Sequence, residues 1–148
     1  MQLNPLRDKL VAFDTAPLIY YMEEKEPFVG IVAPFFNGIG SGHFQTLTSI
    51  LTLEEVLVVP FRVGRRDLVE SYRNIILDSE GLTVWPVNQQ IAEEAALIRA
   101  THPRIRTPDA LQMATAVVAG AQHFLTNDRA LPNLPGLQLL VVDDLVPS

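Results

Sequence analysis

The sequence predicts a parallel β-sheet of about five strands with helices packed on both of its faces. Three observations carry that expectation. Short apolar runs alternate with longer segments of helical periodicity, from Leu10–Phe13 near the start to Leu137–Val142 near the end. The runs are continuously apolar, as strands covered on both faces are. The 148 residues are 48% hydrophobic and 19% charged, which fits a well-filled core in a single domain spanning 1–148. Strands and helices in this order are joined by right-handed crossovers, so helices fall on both faces.

Leu10–Phe13 reads as the first strand and runs straight into Asp14. Thr15 or Ala16 can cap the next helix, Pro17 suits its first turn, and Leu18, Tyr21 and Met22 recur at helical spacing. Pro27–Phe36 reads as a second helix, stopped by Asn37-Gly38-Ile39-Gly40-Ser41-Gly42. No Gly-Lys-Ser/Thr follows those glycines, so they do not form a phosphate-binding loop. Phe44–Leu47 is a second strand, followed by a helix over Ser49–Pro60 with Ile50, Leu53 and Leu57 on one face. Arg65–Asp78 is another helix, with Leu68, Tyr72, Ile75 and Ile76 as its stripe and Gly81 close behind. Leu82–Val87 is a third strand, and Asn88 caps a helix through Ala100 that turns Ile91, Ala95 and Ile98 inward. Thr107-Pro108-Asp109 starts a helix with Thr107 as cap, Pro108 in first position and an acid in the first turn. That helix runs through Ala119 and Gly120 closes it; His123–Leu125 and Leu137–Val142 are the fourth and fifth strands.

Composition excludes several function classes. Without cysteine there are no disulfides, thiolate zinc sites or thiol nucleophiles. A net charge of −6 argues against a simple basic nucleic-acid coat. The apolar stretches Phe28–Phe36 and Leu137–Val142 are far shorter than the roughly 20 residues of a membrane span. The N-terminus lacks an apolar targeting region, so a cytoplasmic protein is expected.

In a parallel α/β sheet, ligands bind beyond the carboxyl ends of the strands, and acids stand there. Asp14 follows the first strand and Asp128 the fourth. Asp109 lies in the first turn of the helix feeding the fourth strand, and Glu55 lies in the helix after the second. If the first and fourth strands are neighbours, the four converge. Converging carboxylates repel and call for a cation. Hard divalent ions favour oxygen ligands, and such ions turn water into a nucleophile against a phosphodiester. Thr15, Ser49, Thr107, Thr126 and Asn127 stand near enough to orient carboxylates or bound waters. Taken singly, each acid has a plainer role: Asp14 as a helix cap, Asp109 as a helix-dipole acid, Asp128 as a turn residue. Of Glu54 and Glu55 one is a solvated helix residue, and periodicity leaves that choice open.

Four segments together resemble the PIN-domain nucleases, in particular the VapC-type toxins of toxin–antitoxin pairs. They are Phe13-Asp14-Thr15-Ala-Pro-Leu-Ile-Tyr, Ser49-Ile-Leu-Thr-Leu-Glu-Glu55-Val, Thr107-Pro-Asp109-Ala-Leu-Gln-Met-Ala and Phe124-Leu-Thr126-Asn-Asp128-Arg. The resemblance implies a three-layer α/β/α fold and an Mg²⁺- or Mn²⁺-dependent endoribonuclease. It places Asp14, Glu55, Asp109 and Asp128 at the catalytic positions, with Asp14, Asp109 and Asp128 as metal ligands. Thr126 and Asn127 match the polar residues before the last acid. Gln112 stands one turn after Asp109, where some relatives carry a further acid. An antitoxin that blocks the site and a homodimer are implied partners.

RNA must meet an acidic protein through local cations. Nine of the eleven basic residues are Arg, suited to phosphate contact and base stacking. Arg62-Val-Gly-Arg65-Arg66 forms one cluster. Arg99, His102, Arg104 and Arg106 form a second beside Asp109, and Arg129 follows Asp128. Arg104, Arg106 and Arg129 are the expected RNA contacts. His123, Trp85 and the phenylalanines read as structural. The apolar helices Leu18–Met22 and Phe28–Phe36 are either core or docking surface. Two other readings compete. A haloacid-dehalogenase-like phosphotransfer domain needs a second Asp two residues after the first, where this chain has Ala16, and a receiver-like domain needs paired early acids and a late lysine, where the only lysines are Lys9 and Lys25. A non-catalytic PIN-like binding module has no use for four retained acids.

Overall fold

The computed structural model describes residues 9–41 and 45–147, without the side chains of residues 37–41. Five strands form one sheet: β1 (Leu10–Phe13), β2 (Gln45–Ser49), β3 (Leu82–Trp85), β4 (His123–Thr126) and β5 (Gln138–Val141), in the order β3-β2-β1-β4-β5. Every neighbouring pair is parallel. β1 lies between β2 and β4, with Ala12 opposite both Leu47 and Phe124. The chain winds outward from β1 to β3, then returns to build β4 and β5 on the other side of β1. The β1/β4 boundary is therefore the switch point at which such sheets bind ligands.

Helices cover both faces. Against one face lie α1 (Thr15–Met22), α2 (Val29–Ser41), α3 (Ile50–Arg62), α4 (Arg66–Asp78) and α7 (Val142–Leu145). Their buried Leu18, Val32, Phe35, Val56, Ile76 and Val142 pack on Val11, Phe13 and Leu125. Against the other lie α5 (Gln89–Thr101) and α6 (Thr107–Ala119), whose Ile91, Ile98, Ala110 and Met113 pack on Ala12, Leu47 and Phe124. Val11 and Phe13 serve one core and Ala12 the other, which is the period-two geometry of a strand buried on both sides. The result is the expected three-layer α/β/α arrangement. No helix among the described residues is long and apolar enough to cross a membrane.

Several local expectations need correction. Asp14, not Thr15 or Ala16, caps α1: its Oδ1 accepts the Thr15 N–H at 2.8 Å. Arg106, not Thr107, is the cap residue of α6, and no side chain caps that helix, so Thr107 and Pro108 are its first helical residues. α2 starts at Val29 and continues to Ser41 through the expected stop at Asn37-Gly38. α3 runs past Pro60 to Arg62. Strand β3 ends at Trp85, two residues early, and β4 reaches Thr126. In α4 the buried residues are Val69 and Ile76, with Tyr72 partly buried. Ile50 of α3 is exposed instead of inward. Gly42, His43 and Phe44 lie outside the described residues. In the first-half helices Leu18, Val32 and Phe35 are core, while Tyr20, Tyr21, Met22 and Ile31 are only partly buried. The exposed apolar surface lies instead at the end of α3, where Val59, Phe61 and Val63 are each more than half exposed.

Candidate active site at the carboxyl ends of the strands

Asp14 sits at the exit of β1, in the middle of the sheet. Its N–H donates to Leu125 O at 2.8 Å, which extends the β1–β4 pairing into the site. Its Oδ1 caps α1, and its Oδ2 accepts the Thr126 hydroxyl at 2.7 Å. The same Thr126 oxygen accepts the Asp128 N–H at 3.1 Å. Thr126, fully buried at the end of β4, thereby ties the first and last acids together. Asp128 folds back on its own loop, its Oδ1 accepting the Ala130 N–H at 2.9 Å. That is an Asx-type turn, so the plainer role of Asp128 is realised alongside any other.

Glu55 is distinguished from Glu54 by a hydroxyl. Thr15 donates to Glu55 Oε1 at 3.1 Å, and Gln112 Nε2 lies 3.5 Å from the same oxygen. Both glutamates are exposed, but Glu54 makes no hydrogen bond or ion pair among the described residues. Thr52, Val56 and Pro60 set the buried side of α3, and Glu55 stands on its shoulder.

Behind Glu55 lies a buried polar network that periodicity alone does not reveal. Gln112 Nε2 donates to Thr52 Oγ1 at 3.0 Å and approaches Thr15 Oγ1 at 3.3 Å. Thr48 spends its hydrogen on Phe13 O at 2.9 Å, so Thr52 is the donor in the 2.7 Å Thr48–Thr52 contact. Donation thus runs from Gln112 through Thr52 to Thr48, and from Gln112 through Thr15 to Glu55. Gln112 Oε1 is buried without a partner. No local pattern in the sequence signals this network, since Thr48 belongs to β2, Thr52 and Glu55 to α3, and Thr15 and Gln112 to two other helices.

Burial holds the Asp14 carboxyl above its ordinary range. The bonds from Thr126 and the Thr15 N–H oppose that shift, while the charges of Asp109 and Glu55 reinforce it. Burial likewise raises Asp109; Arg106 opposes the shift and Asp128 adds to it. Asp14 thus feels Glu55 and Asp109, and Asp109 feels Asp128. Among the described residues, however, no three acidic or histidine side chains stand close enough to form a direct ligand set.

The other expected site residues stand further back. Ser49 caps α3 by accepting the Leu51 N–H at 3.2 Å and makes no hydrogen bond to an acid among the described residues. Asn127 latches the β4 loop to two helices: it donates to Tyr20 Oη at 3.0 Å and accepts the Asp143 N–H at 2.9 Å. Thr107 is exposed in the first turn of α6. Arg129 pairs with Asp144 of α7, both side chains exposed, and not with a site carboxylate. Arg106 faces Asp109 closely enough to stabilise its charge.

The PIN domain profile matches residues 11–137. No curated protein matches the chain in sequence. Solved structures that share its fold include VapBC2 from Rickettsia felis bound to a DNA fragment from its promoter. That structure aligns with a TM-score of 0.68 at 14% identity, over 89% of this chain and 98% of the other. A toxin–antitoxin complex from Klebsiella pneumoniae aligns with a TM-score of 0.63 at 21% identity, covering 86% and 94% of the two chains. DNA-bound VapBC from Salmonella typhimurium gives 0.63 at 18% identity, covering 90% and 98%. At such identities the likeness is one of fold. The profile, in contrast, spans every strand but the last and all four acids, and on that match the chain belongs to the PIN domain family.

Proposed function

We propose that this protein is a divalent-metal-dependent endoribonuclease and the toxin of a toxin–antitoxin pair. The observation that carries the reading is the grouping of acids at the switch point of the sheet, where Thr126 binds both Asp14 and the Asp128 N–H, and Thr15, which Asp14 caps, binds Glu55. Family membership supports the nuclease chemistry. Likeness of fold to VapBC and toxin–antitoxin structures supports the pairing.

The donors are all oxygen, which fits Mg²⁺ or Mn²⁺. Asp14, Asp109 and Asp128 would hold the ion, with Glu55 at its flank. Mg²⁺ keeps several waters and takes only one or two carboxylates directly, which suits acids spaced too widely for three direct ligands. A bound divalent ion neutralises the phosphodiester and lowers the pKa of water. The chain's own groups do the positioning. Thr126 and the Thr15 N–H fix both oxygens of Asp14. Glu55 Oε1 is taken by Thr15 and Gln112, which leaves Oε2 to orient the attacking water. Arg104 and Arg106 meet the phosphates, and Arg129 joins them once it leaves Asp144.

The test is RNA cleavage by the purified chain with Mg²⁺ or Mn²⁺, and with EDTA as control. Asp14→Asn and Asp109→Asn should each abolish EDTA-sensitive cleavage while circular dichroism stays unchanged. Full activity in both variants overturns the mechanism. Partner binding without any cleavage would favour a docking module. The toxin role predicts that a small protein encoded beside this one relieves growth arrest on co-expression. A second copy of the chain is the other expected partner, read by light scattering.

A further inference from the structure

A cavity of about 320 Å³ opens between the loop joining α5 to α6 and the loop after β4. The first loop leads into the helix that carries Asp109, and the second begins at Asp128. Both walls are fixed by hydrogen bonds. The Ile105 N–H donates to His102 O at 3.1 Å, and Arg99 Nε donates to Ile105 O at 3.3 Å. On the other side the Ala130 N–H binds Asp128 Oδ1 and the Leu131 N–H donates to Asp128 O. Ile105 and Leu131 anchor the two loops in the core. One wall of the cavity is therefore held by Asp128 itself, and the other belongs to the loop that leads into the helix of Asp109.

Its lining is chemically mixed. Pro103, Pro132 and Ala130 supply apolar surface. Arg104 and His102 line it too, and neither side chain has a hydrogen bond or ion pair among the described residues. Thr101 donates its hydroxyl to Leu97 O at 3.0 Å, which leaves its oxygen free to accept. Flat cationic and aromatic faces beside proline rings, with a donor fork and an acceptor, suit a planar heterocycle. Ligand pockets run from about 300 to 1,000 Å³, so this one sits at the small end, where one base fits and a longer segment does not.

We propose that this cavity receives one splayed base of a single-stranded RNA, flanking the bond to be cut, and thereby sets base preference. The inference rests on the ribonuclease reading above. Phosphate contacts position a strand without reading it, whereas stacking and edge contacts to an unpaired base discriminate. Arg104 would then be a specificity residue and not only a counter-charge.

The test uses the full chain, ¹⁵N-labelled, in EDTA, titrated with short homopolymeric oligoribonucleotides of A, C, G and U. One or two of the four should shift the amides of 101–105 and 130–132 saturably, and bind about tenfold tighter than the rest. Arg104→Ala should erase that preference. Arg104→Lys keeps the charge but loses the plane, so it should retain overall affinity and lose discrimination. His102→Ala gives an independent check on the same readout. Equal binding of all four oligonucleotides with no shifts at the cavity overturns the inference, even if EDTA-sensitive cleavage is intact. Base-selective shifts at the cavity without any metal-dependent cleavage uphold the pocket and overturn the nuclease reading instead. Failure of all four oligonucleotides to bind in EDTA overturns the pocket, whereas the nuclease reading stands or falls on cleavage with Mg²⁺ or Mn²⁺.

Discussion

The Thr126 hydroxyl has two partners: it donates to Asp14 and accepts from the Asp128 N–H. Thr126→Val keeps the shape and removes both bonds. The bond to Asp14 holds that carboxyl down against burial, so its loss raises the Asp14 pKa further. The acid limb of the cleavage profile should move to higher pH, and the fold should lose about 1–3 kcal/mol, read by urea unfolding. Asp14 itself makes a second prediction. Its folded pKa lies above the ordinary 3.8. The folded state therefore binds that proton more tightly than the unfolded chain does. The stability so gained is complete at low pH and is lost as pH rises through the folded value. Asp14→Asn, always neutral, should melt higher than the parent chain at pH 7 without metal, and the gap should close as pH falls toward 4. Equal melting temperatures throughout would show that burial does not strain this carboxylate. Some of this was legible in the sequence. Aspartates at strand ends stand out by position. Thr52 and Gln112 did not, because periodicity sends polar residues to the surface, and only the fold reveals a hydroxyl and an amide buried beneath Glu55. Glu54 and Glu55 differ by ~100° of helix rotation, and the Thr15 hydroxyl on a distant segment separates them.

At the scale of elements, capping chemistry located one helix start to the residue and missed two others by a residue or more. Asn88 accepts the Ile91 N–H at 2.9 Å, as its position before α5 led one to expect. Gly120 closes α6 at φ 81°, and the Ala121 N–H reaches back to Ala116 O at 3.0 Å, the pattern of a left-handed helix end. An added Cβ there meets nothing within 4 Å, so Gly120→Ala should cost only the conformational penalty, about 1–2 kcal/mol by urea unfolding. Glycine was a poor guide in α2, which passes through Gly38 and Gly40 to Ser41. Tertiary packing overrides propensity there: Phe36 stacks on Tyr21 at 3.9 Å between ring centroids and Phe35 meets Phe13 edge-on. α7 is invisible in the sequence because four residues give no period to read. Its first turn is held by Asn127, an interaction no local pattern encodes.

At the scale of the molecule, the −6 charge and the gathered acids predict that stability rises with a bound cation. A divalent ion that binds only the folded chain adds about 2.7 kcal/mol at a hundred times its dissociation constant. Mg²⁺ should therefore raise the melting temperature of the parent chain and have little effect on Asp109→Asn. An equal rise in both would assign the ion elsewhere. Neutralising Arg104 and Arg106 together should flatten the salt dependence of RNA binding, with the log–log slope falling by about 0.7 for each phosphate that no longer meets a cation. The overall plan was readable because strand and helix alternate cleanly along the chain; the neighbours of β1 were not, since strand order is a property of the closed sheet. That order has a consequence for biosynthesis. Thr126, which holds Asp14, stands 112 positions further along the chain, and β4 must slot beside β1 before the two halves of the acidic cluster face each other. A nascent chain can complete β1 to β3 and still lack Asp109, Asp128 and the strand that aligns them. The ribosome translating this protein thus carries only an unassembled half-site until the residues through Asp128 have emerged, and a chain broken off before that point cannot assemble the cluster at all.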